Sequence, residues 1–312
     1  MSNKSIKIIF FGNTEFSNPV LLKCNESYNV ASVVTNPSKK MGRGQKLFDT
    51  PVKILSNDHN LEVIECDNLL DKEFVKKLED INPDLFVVVA YKILPKSLLS
   101  IPKYGAINLH SSLLPKYRGA APIQRAMLNH EKTTGVSTFL IEPRVDTGKI
   151  LEQAQCDIND SDDYGSLSVK LSNIGADLVV SSIEKYLTKE IKPYLQDESL
   201  VTLAPKIMKE EFLINWDKTA SDIHAQVKAF SPYPGAYTFL NGKRIKFFKS
   251  ELINNQSSRQ PGEVDNITND FFDIACSVGF LRVYKVQMEG KKMMPAKDFI
   301  LGMPTLKGSR FS

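Results

Sequence analysis

Two apolar runs constrain this chain more than any other feature of it. Ile6 to Phe11 is interrupted only by Lys7 and ends in Gly12-Asn13, and Leu85 to Ala90 is apolar throughout. A strand without polar alternation is buried on both faces, as in a parallel sheet covered by helices on each side. The intervening pattern supplies the rest of such a sheet. Pro19 to Cys24, Pro51 to Asn57 and Asp71 to Asp80 read as helices, the last with Asp71 as N-cap and Phe74, Val75 and Leu78 on one face. Val30–Thr35 and Leu61–Glu65 read as strands. Beyond Leu85 come a strand at Ala106–His110, a helix at Ala121–Leu128, strands at Val136–Ile141 and Lys149–Ile158, and a long helix from Tyr164 to Leu187. Strands alternating with helices give a twisted parallel α/β sheet with right-handed crossovers, a Rossmann-like architecture.

The tail differs in kind. A helix is expected over Trp216 to Phe230, followed by short strands at 236–240, 244–248, 262–264, 271–275 and 280–286 with Asn241-Gly242 and Glu289-Gly290 as turns. Many short strands in about a hundred residues predict a small antiparallel β-barrel, OB-like. With 312 residues there is room for two cores. The expected division is 1–189, a polar, Pro-containing linker at 190–206, and 207–312. The net charge of +4 is unevenly placed, at −1 over the first 205 residues and +5 over 206–312, which points weakly to a polyanionic partner. Cys24, Cys66, Cys156 and Cys276 are scattered singly, without metal or disulfide spacing. There is neither a signal-peptide pattern nor an apolar run long enough to span a bilayer, so a cytoplasmic monomer is expected.

The chemistry concentrates between Ala106 and Gly119. In Ala106-Ile107-Asn108-Leu109-His110 the period-2 pattern puts Asn108 and His110 on one face of a strand end. A carboxamide can donate to a developing oxyanion, and an imidazole can carry a proton near neutral pH. Ala106–His110, the helix after it and Val136–Ile141 read as a βαβ unit, so the two strands are expected to run parallel. The loop after the second strand then delivers Asp146 to the same sheet edge. Ser111 and Ser112 lack triad partners and read as turn residues, and His59, His130 and His224 earn no role, the last expected on a helix surface. Gly12-Asn13-Thr14-Glu15-Phe16 is not a dinucleotide fingerprint. A further polar stretch, Asn36 to Thr50, holds Lys39, Lys40, Arg43 and Lys46 around Gly42 and Gly44, a composition suited to gripping a phosphate backbone.

Asn108-x-His110-x-Ser112-Leu113-Leu114-Pro115-x-Tyr117-Arg118-Gly119-Ala120-Ala121-Pro122 resembles the signature of the folate-dependent formyltransferases. Gly12 to Phe16 is similar to a conserved turn of that family, and the stretches around Pro232-x-Pro234-Gly235 and Lys297-Asp298-Phe299 resemble its second domain. Gly42-Arg43-Gly44-x-Lys46 resembles the inserted loop of the members that act on tRNA. The resemblance implies a formyltransferase domain over 1–189 and a tRNA-binding barrel over 207–312. It also implies transfer of a formyl group from 10-formyltetrahydrofolate, as co-substrate and without a metal, to the α-amine of methionine on initiator tRNA. Asn108, His110 and Asp146 would be catalytic. Ser112, Leu113, Leu114, Pro115, Ala90 and Tyr91 would bind the folate, and Lys39, Lys40, Arg43 and Lys46 the tRNA. The chain departs from the family at Asn13-Thr14, at Lys92-Ile93 in the folate loop and at Pro143-Arg144-Val145 before the acid. A formyltransferase of a small amine or a hydrolase of the formyl-folate would keep the same three residues, whereas a non-catalytic tRNA-binding protein would leave them without purpose.

Overall fold

A computed structural model describes residues 3–41, 44–254 and 259–312. In chain order the elements are β1 (Asn3–Gly12), α1 (Asn18–Ser27), β2 (Tyr28–Thr35), β3 (Lys39–Met41), β4 (Lys46–Phe48), α2 (Pro51–Asp58), β5 (Val63–Glu65), α3 (Lys72–Ile81), β6 (Leu85–Val89), α4 (Lys96–Leu99), β7 (Ala106–His110), β8 (Arg118–Gly119), α5 (Pro122–Leu128), β9 (Thr133–Leu140), β10 (Ile150–Asp157) and α6 (Tyr164–Leu187). The remainder contains β11 (Leu203–Ala204), α7 (Ala220–Ala229), β12 (Ala236–Leu240), β13 (Lys243–Ile253), β14 (Val264–Ile267), β15 (Phe272–Ala275), β16 (Phe280–Met288), β17 (Met294–Pro295) and α8 (Ala296–Leu301).

These elements form two compact units: 1–120, 133–157 and 168–204 make the first, and 121–132, 158–167 and 205–312 make the second. Sequence order alone does not reveal that 121–132 and 158–167 pack with the second, because those contacts are made out of order. The expected linker is ordered for most of its length. Tyr194 bridges Ile150, and β11 pairs with β8 in parallel, so this strap is fastened along the first unit.

The first unit is built on a seven-stranded sheet in the order β10-β9-β7-β6-β1-β2-β5. β1, β2, β5, β6 and β7 are parallel, and the two apolar runs, β1 and β6, lie side by side near the middle. Ile8 to Phe11 and every residue of β6 are buried, as their composition requires. Asp71 caps α3 by accepting from the Phe74 amide, and Thr50 caps α2 by accepting from that of Lys53.

One expected step is corrected. β9 runs antiparallel to β7, with Asn108 opposite Phe139 and His110 opposite Ser137, so no parallel βαβ unit is formed. α5, which would have been the crossover helix, packs instead on α7 in the second unit. β9 then turns back as an antiparallel partner of β10.

In the second unit β12-β13-β16-β15-β14 form an antiparallel sheet, with β17 added on β16. The C-terminal residues close it. Ser312 exchanges both backbone hydrogen bonds with Phe239 of β12, and Val264 of β14 donates to the Ser309 carbonyl, so 309–312 join the two edge strands. Phe247, Phe272, Phe299, Phe311 and Trp216 fill the interior. Trp216 precedes α7 rather than starting it. Thr219 caps that helix, and the Trp216 indole donates to Thr238 Oγ1 within the sheet.

Candidate active site

β7 presents the two polar residues as its alternation dictates. One Nδ2–H of Asn108 donates to the Val88 carbonyl on neighbouring β6 at 3.0 Å, which fixes the plane of the amide. His110 is 7 % exposed, and its Nε2 lies 2.9 Å from the Tyr117 carbonyl oxygen. A carbonyl can only accept, so Nε2 carries the hydrogen and Nδ1 is the nitrogen left to take up a proton. Tyr117 turns its carbonyl towards the ring from a left-handed backbone conformation, with φ of 59°.

Asp146 reaches His110 by a route other than the one expected. The 141–149 loop begins beside the start of β7, where the Ile141 amide donates to the Ala106 carbonyl, and then doubles back. Gly148 permits the reversal, since a Cβ there would lie 1.7 Å from the Leu140 carbonyl oxygen. Asp146 itself is left-handed, with φ of 53°. Its Oδ2 accepts from the Gly119 amide at 2.8 Å and stands 3.8 Å from His110 Nδ1. That separation is an ion-pair distance rather than a hydrogen bond. The imidazole is therefore oriented by the Tyr117 carbonyl, while the carboxylate faces the other ring nitrogen. Left-handed non-glycine residues gather at functional sites because the surroundings must hold them there, and Ala90 (φ 50°), after β6, is a third.

The turn 111–117 is pinned from beneath. Ser112 is buried and donates to the Lys116 carbonyl at 2.6 Å, and its own carbonyl accepts from Ser137 Oγ. Leu114 packs with Phe139 and Ile150, whereas Leu113 and Pro115 are half-buried. Ala90 is exposed. The Tyr91 ring rests against Phe11, and its hydroxyl is buried without a hydrogen-bond partner among the described residues.

Arg118 has a packing purpose that the sequence did not disclose. It is 7 % exposed, and its guanidinium donates to Gln196 Oε1 through Nε and Nη2 and to both carboxylate oxygens of Glu198. Arg118 in turn holds the Glu198 carboxyl below its ordinary range. No motif or periodicity in the sequence singles out Gln196.

The 36–50 stretch is more ordered than a loop. β3 and β4 pair as a two-stranded ribbon with Lys39 opposite Phe48, Lys40 opposite Leu47 and Met41 opposite Lys46. That register puts Lys39 and Lys46 on one face and Lys40 on the other. Lys53 holds the ribbon's base, with Nζ 2.9 Å from Asp49, 2.7 Å from Glu65 and 2.9 Å from Ser38 Oγ. Arg43 and Gly42 lie outside the described residues.

The remaining histidines belong to the second unit or to loops. His224, expected on a helix surface, lies on α7. It is half-buried with Nδ1 2.8 Å from Ser250 Oγ, and burial pushes its pKa down to about 4. His130 pairs with Asp222 at 2.9 Å. Among the described residues no group of three or more His, Cys, Asp or Glu is placed to hold a metal, and no helix is long and apolar enough to cross a membrane.

Both the α/β part of the chain and the antiparallel part match a known family. Residues 6–183 match the formyl transferase family and residues 206–304 its C-terminal domain, and the chain belongs to that family. The methionyl-tRNA formyltransferase of Clostridium novyi (strain NT) is 42 % identical over 299 residues, covering 95 % of this chain and 97 % of that one. Among solved structures, the methionyl-tRNA formyltransferase from Clostridium thermocellum superposes with a TM-score of 0.56 at 19 % identity, over 80 % of this chain and 95 % of that one. HypX from Aquifex aeolicus in complex with tetrahydrofolic acid gives 0.65 at 16 % identity, over 96 % of this chain and 48 % of that one. The two structural likenesses speak to the fold alone.

Proposed function

We propose that this chain transfers the formyl group of 10-formyltetrahydrofolate to the α-amine of methionine on initiator methionyl-tRNA, the step that prepares the initiator for translation in the cytoplasm. The observation that carries the chemistry is the asymmetric setting of His110, with Nε2 committed to the Tyr117 carbonyl and Nδ1 facing Asp146. The acceptor is supported by the relative from Clostridium novyi, which is alike across both units and is named for methionyl-tRNA.

The amine attacks the formyl carbon and a tetrahedral oxyanion forms. One Nδ2–H of Asn108 is held by Val88, so the other is the preorganised donor for that oxyanion. His110 takes the proton of the attacking amine at Nδ1 and returns it to the departing folate nitrogen, so no net proton is left on the enzyme. In between the imidazolium stands 3.8 Å from the Asp146 carboxylate, an attraction of roughly 4 kcal/mol at an effective dielectric constant of about 20.

Asp146 therefore stabilises charge. Tyr117 sets the orientation of the ring.

The folate is assigned to the turn 112–115 and to Ala90-Tyr91, which follow the adjacent parallel strands β7 and β6. Ser112 and Leu114 shape the turn from within, and Leu113, Pro115 and Ala90 offer the accessible surface. The tRNA is assigned to Lys39, Lys40, Arg43 and Lys46 and to the basic second unit over 207–312. Arg244 and Lys246 line a cleft of that unit together with Gln287.

The test is acceptor choice. Purified protein is incubated with 10-formyltetrahydrofolate and either methionyl-tRNA, an amino-sugar nucleotide, glycinamide ribonucleotide or water alone. Formyl-methionyl-tRNA is expected as the product. Formylation of a small amine without formylation of the tRNA, or hydrolysis alone, refutes the proposal.

A further inference from the structure

We propose that Gln196 is a positioning residue for formyl transfer, the keystone of a clamp by which the strap 196–204 sets both His110 and Asp146. The assignment rests on the proposed function. The Gln196 side chain, 8 % exposed, is saturated with hydrogen bonds. Its Oε1 accepts from Arg118 Nε at 2.9 Å and Nη2 at 2.8 Å, and its Nε2 donates to the carbonyls of Asp146 and Gly148, both at 2.8 Å. A carboxamide has two acceptor and two donor positions, and all four are used.

These bonds close a ring around the acid. Arg118 is joined through its backbone to Gly119, whose amide holds the Asp146 carboxylate, and Gln196 grips the Asp146 carbonyl from the other side. The strap also fastens the turn that orients the imidazole. The Tyr117 amide donates to Thr202 Oγ1 and the Arg118 amide to the Thr202 carbonyl, both at 2.9 Å. One segment thus fixes the carbonyl that receives His110 Nε2–H and the loop that brings Asp146 to Nδ1. Both Tyr117 and Asp146 are held with positive φ, a conformation that persists only where the surroundings impose it. Gln196 touches no reacting atom in this arrangement and acts through Asp146.

The discriminating substitution is Gln196→Glu. It keeps an acceptor for Arg118 while replacing the amide donor by an oxygen aimed at two carbonyl oxygens, which frees the 146–148 loop. Displacing a catalytic group by about 1 Å can cost on the order of 10²-fold in rate. We expect kcat to fall about 10- to 100-fold at pH 7.5, with KM for formyl-folate and methionyl-tRNA within about threefold of wild type. A protonated carboxyl regains one donor, so the ratio of variant to wild-type kcat should rise as the pH is lowered towards 5.5. Merely structural damage would not produce that rise. Gln196→Met, neutral and similar in length, should show the same loss of kcat without the pH-dependent recovery, and it carries the test if the glutamate variant does not fold.

Activities are referred to the folded fraction measured by circular dichroism. Wild-type kcat in the folded variants, or a loss fully accounted for by unfolded protein, overturns the clamp. A wild-type enzyme that fails to formylate methionyl-tRNA instead overturns the functional proposal, so the two failures are distinguishable.

Discussion

Replacing Gly119 by alanine puts a methyl group where the structure has no space for one. A Cβ on Gly119 would lie 2.5 Å from the Ala204 carbonyl oxygen and 3.1 Å from its carbon, about 1 Å inside ordinary contact. The obstacle is backbone, so no side-chain rearrangement can relieve it; β8 and β11 must part. Overpacking of this kind costs typically about 1–3 kcal/mol. The backbone adds to that, because φ at Gly119 is 128°, a region costing a non-glycine residue about another 1–3 kcal/mol. The combined penalty is therefore about 2–6 kcal/mol if the strap holds, and less if it opens.

Either response is visible. If the strap holds, the urea midpoint falls without a change in m-value. If it opens, the Gly119 amide moves away from Asp146 Oδ2, now 2.8 Å away, and kcat should drop about 10- to 100-fold with little change in KM. The assay pairs urea unfolding with steady-state formyl transfer on one preparation. Gly119→Ala protein with wild-type stability and wild-type kcat would refute the account of β8 and β11 as the support of the site.

Two other outcomes are expected. Burial lowers the pKa of His224 to about 4, below its unfolded value near 6.5, so the unfolded chain binds the extra proton between those values. Its contribution, on the order of 3 kcal/mol, is complete above pH 6.5 and is lost as the pH falls through about 4. Urea unfolding at pH 7.5 and pH 4.5 should show a smaller difference in His224→Asn than in wild type; equal differences would assign the acid sensitivity elsewhere. On the ribbon, Lys39→Ala and Lys46→Ala remove cations from one face. Each should weaken tRNA binding and reduce its salt slope by about one, while folate affinity stays as in wild type. An unchanged slope in both would remove that face from the tRNA contact.

What the sequence made legible was whatever is written locally. Period-2 alternation in β7 put Asn108 and His110 on one face, Asp71 announced the start of α3, and the continuous apolar runs became the adjacent strands β1 and β6. Strand direction was not legible, because an apolar pattern reports burial and not polarity. β9 therefore read as parallel when it is antiparallel. Asp146 comes to His110 by a route that the parallel reading does not contain, and the Gly148 that makes its loop double back is visible only as part of Asp-Thr-Gly. The acceptor that orients His110 is a backbone carbonyl, which has no residue-type signature. Gln196 lies 78 residues from Arg118, in a polar stretch whose composition suggests a linker, so its four hydrogen bonds could not be read in advance. Thr219, three residues before Asp222, was the available sign that α7 begins after Trp216.

The central claim is that His110, with Asn108 and Asp146 beside it, moves the proton during formyl transfer to methionyl-tRNA. Single-turnover transfer from 10-formyltetrahydrofolate, at saturating folate, measures it directly in wild type and in Asn108→Ala, His110→Gln and Asp146→Asn. Wild type should yield formyl-methionyl-tRNA. Each variant should be slower by about 10²-fold or more with folate affinity retained, and the triple variant should lose far less than the product of the three losses, since the residues act as a unit. Transfer by His110→Gln at the wild-type rate would contradict the claim.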